Sequence, residues 1–243
     1  MSSPILEVKG LTCAFGKLVA VRDVSFKVEA EQLIGLIGPN GAGKSTFYNL
    51  IAGAIPPTAG EIIFNGQNIQ GWEAHRVARV GIARTFQIPK PYKQLTVVEN
   101  VMLTAFNKTS SPGKAREVAL RVLNDVGLKD YADAPVSVLA VGLLKRLEVA
   151  RALAADPKLV LFDEIMAGLT PTEVNEMTDL VAMLPKRGIT VIWVEHVLHA
   201  IMRTAHRMIV LNRGELIADG EPAVIAKDPN VVRAYLGEEY SLA

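Results

Sequence analysis

Gly38-Pro39-Asn40-Gly41-Ala42-Gly43-Lys44-Ser45 has the form G-x-x-x-x-G-K-[ST], and those residue types suit one task, wrapping a chain of phosphates. Glycines let backbone N–H groups approach phosphate oxygens closely, and a helix beginning at Thr46 adds partial positive charge from its N-terminus. Lys44 has the reach for the β- and γ-phosphates, and the Ser45 hydroxyl suits Mg²⁺. The motif has chemical meaning only between a buried strand and a helix. Leu33-Ile34-Gly35-Leu36-Ile37 before it and the stretch Thr46 to Ala52 after it supply that context. Gly38 to Thr46 are therefore predicted to bind a nucleotide.

A second constellation is Leu159-Val160-Leu161-Phe162-Asp163-Glu164. A hydrophobic strand ending in carboxylates places them at the C-terminal edge of a sheet, where a phosphate loop also lies. Asp163 is expected to hold Mg²⁺ through water. Glu164 is expected to point toward the γ-phosphate and orient or deprotonate an attacking water. His196 and His199 are spaced for a metal pair, but no third ligand accompanies them.

These groups need a frame. Leu33–Ile37, Leu159–Phe162 and Thr190–Val194 are apolar on both faces, as in parallel strands covered by helices. Leu6 and Val8 against Glu7 and Lys9, and Val24, Phe26 and Val28 against Ser25, Lys27 and Glu29, alternate like strands with one wet face. Glu61–Gly66 reads as a strand running into a turn. From about Val97 to Ala155 the pattern is mostly helical. Arg116 to Leu123 carries apolar residues at helical spacing, Pro112 and Gly113 are expected in a loop before it, and Gly127 can end it. Arg207–Leu211 and Glu215–Ala218 flank Asn212-Arg213-Gly214 as a hairpin, and a helix is expected around Val231 to Leu236.

The chain has 243 residues, enough for one large α/β domain. Its net charge of +1 gives no global field toward nucleic acid or anionic lipid, so no nucleic-acid partner is expected. The single cysteine, Cys13, fits a reducing compartment. Met1-Ser2-Ser3-Pro4 carries no signal-peptide pattern, and no apolar run approaches the roughly 18 residues that span a bilayer. Any membrane association is expected to run through another protein.

The phosphate loop and the Asp163-Glu164 strand fit many nucleotidases, and further residues narrow the field. Gln87, in Arg84-Thr85-Phe86-Gln87, and His196, in Val194-Glu195-His196, resemble the glutamine and the switch histidine of the ATP-binding cassette (ABC) family. The resemblance covers nearly the whole chain. It implies a P-loop NTPase of ABC type: a mixed α/β sheet core, an antiparallel β subdomain and a helical subdomain at about 88–155, in one domain spanning 1–243. It also implies ATP hydrolysis with Mg²⁺. Gln87 would touch the metal and the attacking water, His196 the γ-phosphate, and Phe15 would stack on adenine, a role open to any flat π-face.

Gly81 to Gln87, Leu95 to Val101, Met166-Ala167-Gly168-Leu169-Thr170-Pro171 and Arg233 to Glu238 are similar to the ATPase subunits of branched-chain (hydrophobic) amino acid importers. Related urea or amide importers share these features, exporter or lipid-extraction ATPases use the same engine, and a soluble ABC ATPase of DNA repair or translation is the remaining, less favoured alternative. In the family two ATPase subunits sandwich two ATPs beneath two membrane-spanning permease subunits at the cytoplasmic face, and a binding protein delivers the solute. The resemblance thus implies a second ATPase subunit, two permeases and, indirectly, a solute-binding protein.

Some positions depart from the family. Its signature Leu-Ser-x-Gly-Gln stands here as Leu139-Ala140-Val141-Gly142-Leu143, with Ile165 for proline and Thr170 for aspartate. In the family the signature, here Ala140 and Gly142, meets the γ-phosphate held by the opposite subunit. Losing a hydrogen bond to a charged group costs about 1.5–3 kcal/mol, so this composite site is expected to be weakened. The expected arrangement is a dimer with a different ATPase subunit, a second copy of this chain being the alternative.

Overall fold

The computed structural model describes residues 3–236; Gly237 and Glu238 lie outside them. The chain opens with β1 (Leu6–Phe15) and β2 (Leu18–Val28), followed by β3 (Leu33–Ile37), the phosphate loop and α1 (Lys44–Ile51). Next come β4 (Ala59–Phe64), β5 (Gln67–Asn68), α2 (Ala74–Val80) and β6 (Ile82–Arg84). Three helices fill the middle: α3 (Val97–Ala105), α4 (Pro112–Asp125) and α5 (Val141–Ala154). Then follow β7 (Leu159–Asp163), α6 (Pro171–Ala182), β8 (Thr190–Val194), α7 (Leu198–Thr204), β9 (Arg207–Asn212), β10 (Glu215–Gly220), α8 (Pro222–Ile225) and α9 (Pro229–Leu236).

Alternation makes the first sheet. Its strands run antiparallel in the order β2-β1-β4-β5, with Leu6 opposite both Val28 and Phe64. Its buried face meets α1, where the rings of Phe26 and Phe47 lie 5.4 Å apart. The second sheet has the order β10-β9-β3-β8-β7-β6 and is parallel except for the β9–β10 hairpin.

Every residue of β3, β7 and β8 is buried, and the period of two divides their side chains between two layers. Leu159, Leu161 and Ile192 pack toward α1 and the first sheet, whereas Val160, Phe162 and Trp193 pack with the helices on the other side. Each fully buried side chain of this type contributes about 1.5–3 kcal/mol relative to exposure. The sheet is held from both faces, so its C-terminal edge is a firm base for a site.

The expected strands and the hairpin are present. One local expectation is corrected. Pro112 and Gly113 lie in the first turn of α4, not in a loop before it. Ser111 caps that helix by accepting a hydrogen bond from Lys114 N at 3.4 Å. Proline at the first helical position gives up only an N–H that would have had no intrahelical partner.

Candidate nucleotide-binding site

Strand order assembles the site. β3, β8 and β7 are neighbours and end side by side, with β6 next to β7. Their ends deliver the phosphate loop, His196, Asp163-Glu164 and Gln87 to one sheet edge. Phe15, residues 40–46 and Glu164 line one cleft of about 520 Å³. Phe15 is 53% exposed there, its ring free to meet a flat ligand.

Gly43 has φ +99° at the start of α1, a left-handed conformation, and a Cβ there would come within 2.4 Å of Ala20 O. Both facts require glycine. Lys44 is buried, and its Nζ donates to Gly38 O at 2.6 Å and Pro39 O at 3.1 Å. Burial lowers its pKa, while the charges of Glu164 and Asp163 oppose that shift. Ser45 is exposed and Thr46 half-buried.

Glu164 is held from several directions. Its φ of +48° is uncommon for a residue with a side chain, a strain that tends to collect at functional positions. Its N–H donates to Val194 O at 2.9 Å, which ties it to β8. One carboxylate oxygen lies 2.8 Å from His196 Nε2, and the other accepts from Gln87 Nε2. The structure thus brings Gln87, Glu164 and His196 together.

Asp163 is buried one residue earlier and accepts from Arg84 Nη2 at 3.1 Å. Arg84 Nη1 in turn donates to Asn49 Oδ1 at 2.5 Å, so one guanidinium joins β6, β7 and α1. Tyr48, fully buried on α1, donates its hydroxyl toward Phe162 O at 3.1 Å and Ile192 O at 2.7 Å, and burial pushes the phenol well above its ordinary pKa. Asp163, the Ser45 hydroxyl and the Gln87 amide are hard oxygen donors. No group of three or more His, Cys, Asp or Glu that could hold a metal exists among the described residues. This sparse oxygen set suits Mg²⁺, which takes few protein ligands and keeps water and phosphate oxygens.

The model of the ABC transporter family matches residues 21–167, and that of the branched-chain amino acid ATP-binding cassette transporter matches residues 215–241. The chain belongs to the ATP-binding cassette family. It is 40% identical to the high-affinity branched-chain amino acid transport ATP-binding protein BraF of Pseudomonas aeruginosa, over 98% of this chain and 100% of that protein. A crystal structure of the ADP conformation of an ATP-binding cassette of an ABC transporter superposes with a TM-score of 0.88 at 31% identity, covering 98% of this chain and 100% of that one. A dimeric cassette in a post-hydrolysis state, bound to ADP and Pi, matches with a TM-score of 0.81 at 26% identity, over 89% of this chain and 98% of that one.

The cassette places its altered signature away from the cleft. Ala140 is the exposed N-cap of α5 and carries no side-chain cap. Gly142 is buried beneath α6, and a Cβ there would come within 2.1 Å of Glu173 Oε1. Thr170 caps α6 in a reciprocal box with Glu173, and Ile165 is fully buried. Two of the departures therefore serve local structure.

Sequence reasoning missed Arg84, Tyr48, Lys145 and Glu195. Glu195 is buried, accepting from Met166 N at 2.8 Å and His196 N at 3.3 Å. Lys145 is also buried, with Nζ donating to Gln87 O at 2.5 Å and Glu164 O at 3.1 Å. Of the four, only Glu195 carried a local signal, a carboxylate directly after the apolar run 191–194 of β8.

Proposed function

We propose that this cassette hydrolyses Mg²⁺-ATP at a dimer interface and powers an importer of branched-chain or other hydrophobic amino acids from the cytoplasmic face of the membrane. The observation that carries the reading is the Glu164 carboxylate, gripped by Gln87 and His196 at the mouth of the phosphate cleft. The 40% identity to a branched-chain amino acid transport protein supports the solute class.

Phe15 stacks on adenine, residues 38–46 wrap the phosphates and Lys44 neutralises the terminal ones. Ser45, Asp163 and Gln87 would hold Mg²⁺, which when bound supplies charge neutralisation at the phosphates. Glu164 orients the attacking water and accepts its proton. His196 contacts the γ-phosphate and keeps Glu164 aimed. Ala140 and Gly142 meet the nucleotide of the opposite subunit through backbone donors and the N-terminal dipole of α5. The dimeric relative is consistent with that arrangement. The partner in this reading is a different ATPase subunit with an intact signature, so the two sites turn over unequally.

Two permeases are the membrane partners, as the resemblance to importer ATPases implies; no helix among the described residues is long and apolar enough to cross a membrane. The helical region at about 88–155 is their seat. Ile88, Tyr92 and Phe106 are exposed there, and the exposed Phe86 just before it lines a groove of about 240 Å³ between α2, α3 and α5. Exposed apolar groups of this density mark contact surfaces. A solute-binding protein delivers the cargo.

The test is affinity purification of the tagged chain from detergent-solubilised native membranes, with mass spectrometry of what accompanies it. Two multi-spanning proteins and a second ATPase are expected. Recovery with ribosomal or DNA-repair proteins, or alone, refutes the transport reading; a homodimer with two equally fast sites refutes the asymmetric pair.

A further inference from the structure

Lys145 lies on α5 three residues after Gly142 and is only 3% exposed. An ammonium group in such a place requires compensation. Burial lowers its pKa, and the charges of Glu195, Glu164, Glu148 and Asp163 oppose that shift. Its two carbonyl acceptors belong to Gln87 and Glu164, whose side chains also bond each other. These residues are therefore joined twice, once through side chains and once through Lys145. One turn further along α5, Glu148 accepts from Lys90 N at 3.3 Å and from Arg151 Nη1 at 2.5 Å. The helix thus grips the chain at Gln87 and again at Lys90.

We propose that Lys145 is a positioning residue for hydrolysis: it clamps the backbones of Gln87 and Glu164 to the helix that carries Ala140 and Gly142, so that a movement of α5 re-aims the water-orienting carboxylate of the same subunit. The inference rests on the assignment of Glu164 above and on nucleotide meeting the start of α5 from across the dimer. Binding at one composite site then tunes the other, in a chain whose Thr170 is occupied with capping α6.

The experiment is steady-state ATP hydrolysis by the full chain with its partners, for K145M, K145Q and K145R, beside an E164Q control. K145M is expected to lose about tenfold or more in kcat with KM for ATP within about twofold, the mark of a group acting on the reacting geometry rather than on binding. K145R, which keeps the charge and several donors, recovers most of that loss, and K145Q falls between. Circular dichroism establishes the folded fraction. Should K145M not fold, the comparison of K145Q with K145R decides by the same criteria.

A K145M enzyme with unchanged kcat, a rise in KM equal to the loss in rate, or a K145R as impaired as K145M overturns the proposal. If E164Q hydrolyses ATP normally, the assignment of Glu164 falls and the proposal with it. An inactive E164Q beside a fully active K145M removes the proposal alone.

Discussion

Ala140→Ser is expected to stabilise the protein, and the helix starts predict by how much. α3 and α6 begin on Thr96 and Thr170, whose hydroxyls accept the N–H of Glu99 at 3.3 Å and Glu173 at 3.4 Å. Their backbones have φ, ψ of −66°, 168° and −68°, 160°, and uncapped Ala140 has −66°, 167°. A hydroxyl at position 140 thus meets a backbone already shaped for it. Ala140 is exposed, so the added oxygen carries no desolvation cost. An N-cap hydroxyl contributes about 1 kcal/mol, and in a chain of this length each kcal/mol moves Tm by about 2–4 °C. Thermal and urea melts of the full chain without nucleotide read this directly. A midpoint that stays put or falls refutes the reasoning that α5 lacks a cap it can accept. Leu143→Gln would place a capping-box partner at the third helical position. Leu143 packs partly against the core, so the double variant is expected to gain less than two independent caps.

Glu164→Gln should abolish multiple turnover while ATP still binds, seen as nucleotide retained on a gel-filtered protein; sustained phosphate release would refute the role. Tyr48→Phe removes a buried donor from two strand carbonyls and is expected to cost about 1–3 kcal/mol with little change in nucleotide affinity; an unchanged urea midpoint would count against it. Burial raises the pKa of Glu195, with the N–H groups of Met166 and His196 opposing. Its stabilising contribution is therefore full below the unfolded carboxylate pKa of about 4.3 and declines as pH rises through the higher folded value. The stability advantage of the wild type over Glu195→Gln should shrink from about pH 5 upward, and an advantage that grows with pH would reverse the sign.

Contiguous patterns made much of this legible. The phosphate loop is one run of eight residues, and the doubly apolar strands on either side of it already implied a covered parallel sheet. Asp163 and Glu164 could be placed because a strand end fixes where the next residues emerge. What escaped depended on strand order. Arg84 meets Asp163 because β6 lies beside β7, and nothing local to either residue announces the pair. Lys145 reads as an ordinary helix lysine until α5 is seen to be buried over most of its surface. Pro112-Gly113 misled for a different reason: the dipeptide signals a turn, and only Ser111 before it turns the same residues into a helix start.

The placement of the two tryptophans has an optical consequence. Trp193 is fully buried in β8, two residues before Glu195, whereas Trp72 is half-buried with the Arg76 guanidinium 4.2 Å from its ring centroid. An indole sealed in an apolar core emits at shorter wavelength than one touched by water and a cation. The protein thus carries a built-in fluorophore in the strand that leads to His196, on the helical side of the sheet, and Trp72→Phe isolates it. Strain entering β8 from His196 or Glu164 would be readable as a change in emission, with no label added.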